Sequence, residues 1–139
     1  MIRYLVDSSA IWRITRDDAL ADRWFGMLTA GAVGSCAPQR AEFRRSARNS
    51  VEYDQINELF FEMYPDVPVP KAVWSWIESA QHRLVGVGAV RALSTVDLLI
   101  CATAAARGLV ILHDDADFEL AEWNLPDVRA QRVVSPAGD

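Results

Sequence analysis

The sequence predicts an α/β fold, a three-layer α/β/α arrangement with a central, mainly parallel sheet flanked by helices. Three observations carry that prediction. Short apolar runs at residues 2–6 and 109–112 read as strands buried on both faces, because polar alternation is nearly absent from them. Longer segments with apolar residues at helical spacing lie between such runs. Strand and helix alternate along most of the 139 residues, the pattern of βαβ crossovers. A chain of this length makes one domain, taken as 1–139, and buries roughly 70% of its unfolded surface without a disulfide framework.

Each element has its own justification. Residues 2–6 form the first strand, ended abruptly by Asp7. Ser8 offers an N-cap for a short helix through Ile11, Trp12 and Ile14. A second helix covers residues 18–30, with Leu20, Trp24, Met27 and Leu28 on one stripe and Gly31 as its stop. Residues 33–37 read as a weak second strand. Pro38 suits the first turn of a helix carrying Glu42, Phe43 and Ala47. Residues 51–64 form an amphipathic helix with Ile56, Leu59, Phe60 and Met63 inward, and Pro65, Pro68 and Pro70 end it. The next helix, residues 71–84, carries Val73, Trp76, Ile77, Ala80 and Leu84 at helical spacing, and Gly86 and Gly88 break the pattern. Ser94 opens the most distinctive segment. Its 96–106 stretch is apolar or small on nearly every face, which predicts a helix buried on most sides. Gly108 closes it, and the 109–112 strand, a short helix at 118–123 and a last strand at 128–134 complete the order.

Composition excludes several classes of protein. Apolar residues make up 51% and charged residues 24%, a globular balance that rules out wholesale disorder. Cys36 and Cys101 are too few for a secreted disulfide scaffold and read as buried thiols. No apolar run approaches the ~20 residues of a membrane span, and the N-terminal run is too short for a signal peptide. The expectation is a soluble, cytoplasmic protein with no membrane partner. Net charge is −5, which argues against a uniformly basic nucleic-acid surface. The charges are unevenly spread, however. Residues 37–50 hold Arg40, Arg44, Arg45 and Arg48 against Glu42 alone, whereas residues 113–127 hold six acids and no Lys or Arg. Arginine outnumbers lysine thirteen to one; its fork suits bidentate phosphate contacts, and a GC-rich genome yields the same skew.

In a parallel sheet, ligands bind outside the carboxyl ends of the strands. That rule selects Asp7 after the first strand and Asp115 and Asp117 after the 109–112 strand. Asp97 sits in the first turn of the buried helix, and Glu42 in the helix after the weak strand. Convergent carboxylates beside apolar segments call for a cation, and oxygen donors without a His/Cys set favour Mg²⁺ or Mn²⁺ over zinc. Each acid also has a plain structural reading. Ser94-Thr95-Val96-Asp97 fits a capping box, Asp7 can merely end a strand, Asp114, Asp115 and Asp117 can form a solvated turn, and Glu42 can pair with an arginine. His113 reads as a structural histidine. No dinucleotide or Walker loop and no nucleophile elbow are present.

The order LVDSSA, PQRAEF, STVDLLICATAAARGL and ILHDDADFE resembles the PIN-domain family, and within it the VapC toxins of bacterial type II toxin–antitoxin pairs. The match is collinear over residues 5–134; the motifs are short, and their order and spacing make them specific. The resemblance implies a PIN-like fold and a metal-dependent endoribonuclease with Asp7, Glu42, Asp97 and Asp115 as its catalytic acids. Asp7, Asp97, Asp115 and Asp117 would ligate Mg²⁺ or Mn²⁺, with Ser9 supporting them. Asp115 is chosen over Asp114 because its spacing to Asp117 and Phe118 matches the family's D-x-D-F/Y pattern. The resemblance further implies an RNA substrate, an antitoxin whose basic tail enters the acidic cleft, DNA contact through that antitoxin alone, and a homodimer. Arg40, Arg44 and Arg48 follow at four-residue steps, so on one helix they would form a basic stripe for the RNA backbone. The alternatives are a non-catalytic RNA-binding PIN module and a receiver-like signalling domain. The receiver needs a lysine after a late strand, and the lone Lys71 instead opens a helix.

Overall fold

The computed structural model describes residues 1–135; the last four positions of the expected 1–139 domain lie outside the described residues. The elements run β1 (Tyr4–Val6), α1 (Ser8–Arg16), α2 (Asp18–Thr29), β2 (Val33–Gly34), α3 (Ala37–Arg44), α4 (Ser50–Met63), α5 (Val73–Gly86), α6 (Thr95–Arg107), β3 (Val110–His113), α7 (Ala116–Asn124) and β4 (Arg129–Arg132). The strands form one sheet in the order β2-β1-β3-β4, and every neighbouring pair is parallel.

Side-chain alternation along the central strands builds two cores. Leu5 and Ile111 face the layer of α5, α6 and α7, where Leu84, Leu98, Ile100 and Phe118 are buried. Tyr4, Val6 and Leu112 point the other way, into a core with Ile11, Leu20, Trp24, Phe43 and Phe60 from α1 to α4. The result is the expected α/β/α sandwich. Trp24 is fully buried, meets the Tyr4 ring edge-on at 5.2 Å and donates its indole N–H to the Val133 carbonyl at 2.8 Å. Gly108, with φ +67°, takes the left-handed position that ends α6.

Several boundaries differ from expectation, each for a local reason. β2 is two residues long because Ser35 turns to pair with residues 65–67: its N–H donates to the Pro65 carbonyl at 2.9 Å and its carbonyl accepts from Val67 at 2.8 Å. That segment lies so close that a Cβ on Gly34 would stand 2.6 Å from Val67 Cγ2 and 3.0 Å from the Pro65 oxygen. α3 stops at Arg44, so Ala47 lies beyond the helix expected to carry it. α5 begins at Val73, two residues after Lys71, and continues through Gly86; Gly88, with φ +72°, makes the break. In α4, Phe60 is buried, whereas Ile56, Leu59 and Met63 are half-buried and Phe61 is exposed. Both cysteines are buried and unbridged. Among the described residues no helix is long and apolar enough to cross a membrane.

Replacing Gly34 with alanine is expected to lower stability by about 1–3 kcal/mol, because the new methyl overpacks against backbone and a buried valine. Thermal melting of Gly34→Ala beside the parent checks this, and an unchanged midpoint would show that residues 65–67 yield freely.

Candidate active site

The strand order places a crevice where the chain parts company with itself. From β1 the connection leads to β2 on one side, and β3 lies on the other, so the loops after β1 and β3 diverge at their carboxyl ends. Asp7 stands in that gap. Its N–H donates to the Leu112 carbonyl at 2.9 Å, stitching the end of β1 to β3. Its carboxylate caps α1, accepting from the Ser9 N–H at 3.0 Å and from Ser9 Oγ at 2.6 Å. Ser9 Oγ in turn accepts the Asp114 N–H at 2.9 Å, so one hydroxyl links both loops. Asp7 is 5% exposed. Burial pushes its carboxyl up to about 6, the Ser9 hydrogen bonds pull it down, and the charges of Asp97 and Glu42 push it up again.

The other acids close around it. Asp97 does form the capping box: its carboxylate accepts the Ser94 N–H at 3.0 Å while its own N–H donates to Ser94 Oγ at 3.1 Å. Burial, followed by the charges of Asp115 and Asp117, raises its carboxyl despite that capping. Glu42, on the last turn of α3, is raised by burial and by Asp97, and lowered by Ser8 and Arg45. Asp115 caps α7 through the Asp117 N–H at 2.9 Å, and Asp117 is raised by burial and by Asp115. Charge thus couples all five acids into one chain.

Among the described residues no three His, Cys, Asp or Glu side chains stand as a ready-made metal cage. The donor chemistry nevertheless fits a hard divalent cation. Its acids offer hard oxygen donors, and among the described residues buried Asp7 has no ion pair, the charges acting on it being those of Asp97 and Glu42.

The structure separates Asp114 from Asp115. Asp114 is held by Arg13 and Arg132, each at 3.3 Å, whereas Asp115 has no ion pair among the described residues. His113 is fully buried; its Nδ1 accepts the Asp115 N–H at 3.2 Å, its Nε2 has no partner among the described residues, and burial lowers its affinity for a proton. The basic stripe does not form. α3 ends at Arg44, and Arg48 lies past it, gripping Glu52 at 2.7 Å, while Arg40 pairs with Asp66 at 2.7 Å. Three contributors were not singled out from the sequence. Buried Gln39 donates to Ser8 Oγ at 3.1 Å, and Ser8 Oγ donates to Glu42 Oε1 at 3.4 Å, a relay behind the mid-chain acid. Gln39 and Glu42 are one helical turn apart, which is the signal that could have found the pair. The third is Arg45, whose charge reaches Glu42 although it stood outside the expected stripe.

The PIN domain family model matches residues 4–124 of the chain. The chain belongs to the PIN-domain family, in its VapC branch. Ribonuclease VapC6 of Mycobacterium tuberculosis strain H37Rv is 73% identical over 104 residues, which are 75% of this PIN domain's chain and 82% of the relative. Ribonuclease VapC51 of the same strain is 33% identical over 128 residues, covering 86% of the chain and 85% of the relative. Among solved structures, the fold resembles VapBC2 of Rickettsia felis bound to a promoter DNA fragment, with TM-score 0.76, 13% identity and coverage of 95% and 98%. It equally resembles VapBC-1 of nontypeable Haemophilus influenzae, with TM-score 0.76, 18% identity and coverage of 97% and 100%. At those identities the structures speak for the fold alone. Family membership displaces the receiver-like alternative.

In the PIN domain without metal, Asp7 binds its proton more tightly when folded than when unfolded. The folded state therefore holds more protons between pH 4 and 6, and its stability falls as pH rises through that window. The shift corresponds to about 3 kcal/mol by the usual conversion. Asp7→Asn is expected to be more stable than the parent above pH 6 in EDTA, the gap closing as pH falls to 4. Urea unfolding of both across that range checks this, and a gap that does not vary with pH would refute it.

Proposed function

We propose that this chain, acting as one domain, is a metal-dependent endoribonuclease and the toxin of a toxin–antitoxin pair. The observation that carries the reading is the buried, unpaired Asp7 facing Asp97 and Glu42 at the sheet's carboxyl edge. A carboxylate so placed needs a cation, and a cation so placed faces a cleft open to a phosphodiester. The ribonuclease names of the VapC relatives supply the substrate class.

Asp7 and Asp97 would hold one Mg²⁺ or Mn²⁺, and Asp97, Asp115 or Asp117 would hold a second when substrate is present. Such ions supply positive charge against the phosphate oxygens and make water a better acid. Ser9 keeps the Asp7 carboxylate turned into the cleft. Glu42 accepts the proton of the attacking water, and its raised carboxyl makes it a stronger base than an ordinary glutamate. The water oxygen bonds to phosphorus as the bond from phosphorus to the 3′ oxygen breaks, the 3′ oxygen takes a proton from solvent water, and the products carry a 5′-phosphate and a 3′-hydroxyl. Gln39 and Ser8 hold Glu42 for that task.

The same acidity defines the partner. The solved neighbours include toxin–antitoxin complexes, two of them bound to DNA. We assign this chain a cognate antitoxin whose basic tail enters the acidic cleft and competes with metal there, and which carries any contact with DNA. A homodimer in the cytoplasm completes the proposed assembly.

Cleavage of RNA is expected to require Mg²⁺ or Mn²⁺, to stop in EDTA and to leave 5′-phosphate ends. Asp97→Asn should lose at least a hundredfold in rate and its toxicity on expression, while melting within about 1 kcal/mol of the parent in EDTA, since a lost cap is offset by relieved repulsion. Undiminished cleavage with chelator, or 2′,3′-cyclic ends, would sink the mechanism; metal-dependent binding without cleavage would leave an RNA-binding module.

A further inference from the structure

The four arginines near Glu42 fall into two classes. Arg40 and Arg48 already have carboxylate partners in the same chain, Asp66 and Glu52, each at 2.7 Å. Arg44 and Arg45 have no carboxylate within ion-pair distance among the described residues. Arg44 makes one side-chain hydrogen bond, from Nε to the neutral Asn57 Oδ1 at 2.7 Å, and its guanidinium carbon lies 6.0 Å from the centre of the Tyr53 ring. Arg45 is exposed and makes no side-chain hydrogen bond among the described residues; the charge it acts on is Glu42. With Ala41, these two arginines and Tyr53 line a shallow pocket of about 260 Å³. Tyr53 is 43% exposed there, although a tyrosine ring is ordinarily better covered.

We infer that this pocket is a nucleotide subsite for single-stranded RNA next to the scissile bond, taking a phosphate on Arg45 and Arg44 and a base against Tyr53. The inference rests on the ribonuclease reading and adds which side chains of this chain would hold a nucleotide beside the bond that is cut. In a chain of net charge −5, cations left without internal partners are the ones available to neutralise phosphates. An exposed aromatic ring beside a guanidinium offers a stacking surface, and stacking on protein needs a base already free of its own duplex. Position supports the same conclusion. Arg45 follows Glu42 by three residues, its N–H donates to the Glu42 carbonyl at 3.2 Å and its charge acts on the Glu42 carboxyl, so the pocket adjoins the mid-chain acid. An RNA helix would present its phosphates to the arginines but keep its base faces from Tyr53.

The test uses the full chain carrying Asp97→Asn with Mg²⁺ present, so that RNA stays intact, and fluorescence anisotropy of a labelled oligouridylate. Arg45→Ala is expected to weaken binding about tenfold and to lower the salt slope by about 0.7, one single-strand phosphate contact. Tyr53→Leu should weaken binding at least fivefold with the salt slope unchanged, and should have no effect on an abasic oligomer of the same length. Arg83→Ala, on α5 in the opposite helical layer, serves as the control and should bind as the background does. Arg45→Lys should restore the slope. Melting curves confirm that each variant is folded. Unaltered oligouridylate binding by Arg45→Ala and Tyr53→Leu, or equal losses on duplex RNA, would overturn the subsite while metal-dependent cleavage by the native chain leaves the ribonuclease reading standing. If the native chain neither cleaves RNA nor binds it, both fall together.

Discussion

The hydroxyl of Ser9 holds together the part of the molecule on which everything else depends. It donates to a carboxylate that has been taken out of water and accepts from the backbone of the neighbouring loop. Without that bridge the ends of β1 and β3 would share one backbone hydrogen bond at this edge, from Asp7 to Leu112. The desolvated Asp7 would also lose its strongest local support. Burial costs this carboxylate more than Ser9 returns, as its elevated affinity for a proton records. The strain is local and chemical. It leaves the site poised to favour whatever brings positive charge.

A second feature limits the cost of crowding so many acids. Asp7 caps α1, Asp115 caps α7, and Asp97 stands in the first turn of α6. Three helices therefore direct their amino ends, with their unpaired N–H groups and partial positive charge, at the carboxylates that define the cleft. A capping role leaves room for the proposed cation binding, because the cap fixes the carboxylate's position and uses only some of its lone pairs. Meanwhile Arg13 and Arg132 pair with Asp114, so the charge of this neighbouring acid is balanced locally.

Much of this was legible in the sequence. The apolar strands at 2–6 and 109–112 and the buried 96–106 helix dictated a parallel sheet, and the strand-end rule then chose Asp7, Asp115 and Asp117 with no knowledge of a family. What sequence could not supply were contacts between distant segments. The shortness of β2 depends on residues 65–67 lying against Gly34, thirty-odd positions away. The failure of the arginine stripe depends on α3 stopping at Arg44, where no glycine or proline announces an end. Partner choice was equally hidden. Arg40 finds Asp66 and Arg44 finds Asn57 through tertiary packing, so equal spacing along the chain hid unequal availability in space.

The two borders of the sheet bear on how copies of this chain can meet. On one side the 65–67 segment occupies the hydrogen-bonding groups beyond β2 through Ser35. On the other, β4 reads Arg-Ala-Gln-Arg and sets guanidinium groups along the outermost strand, with Arg132 pinned to Glu119 and Asp114. Neither border offers a flat, unguarded ladder for an incoming strand, which guards against runaway sheet extension and strand exchange. The proposed homodimer would then have to use helical faces, and these carry the exposed aromatic rings of Phe25, Phe61, Trp74 and Trp123. Such an assembly would depend on side-chain fit between helices, which single substitutions can tune without disturbing the sheet that holds the acids.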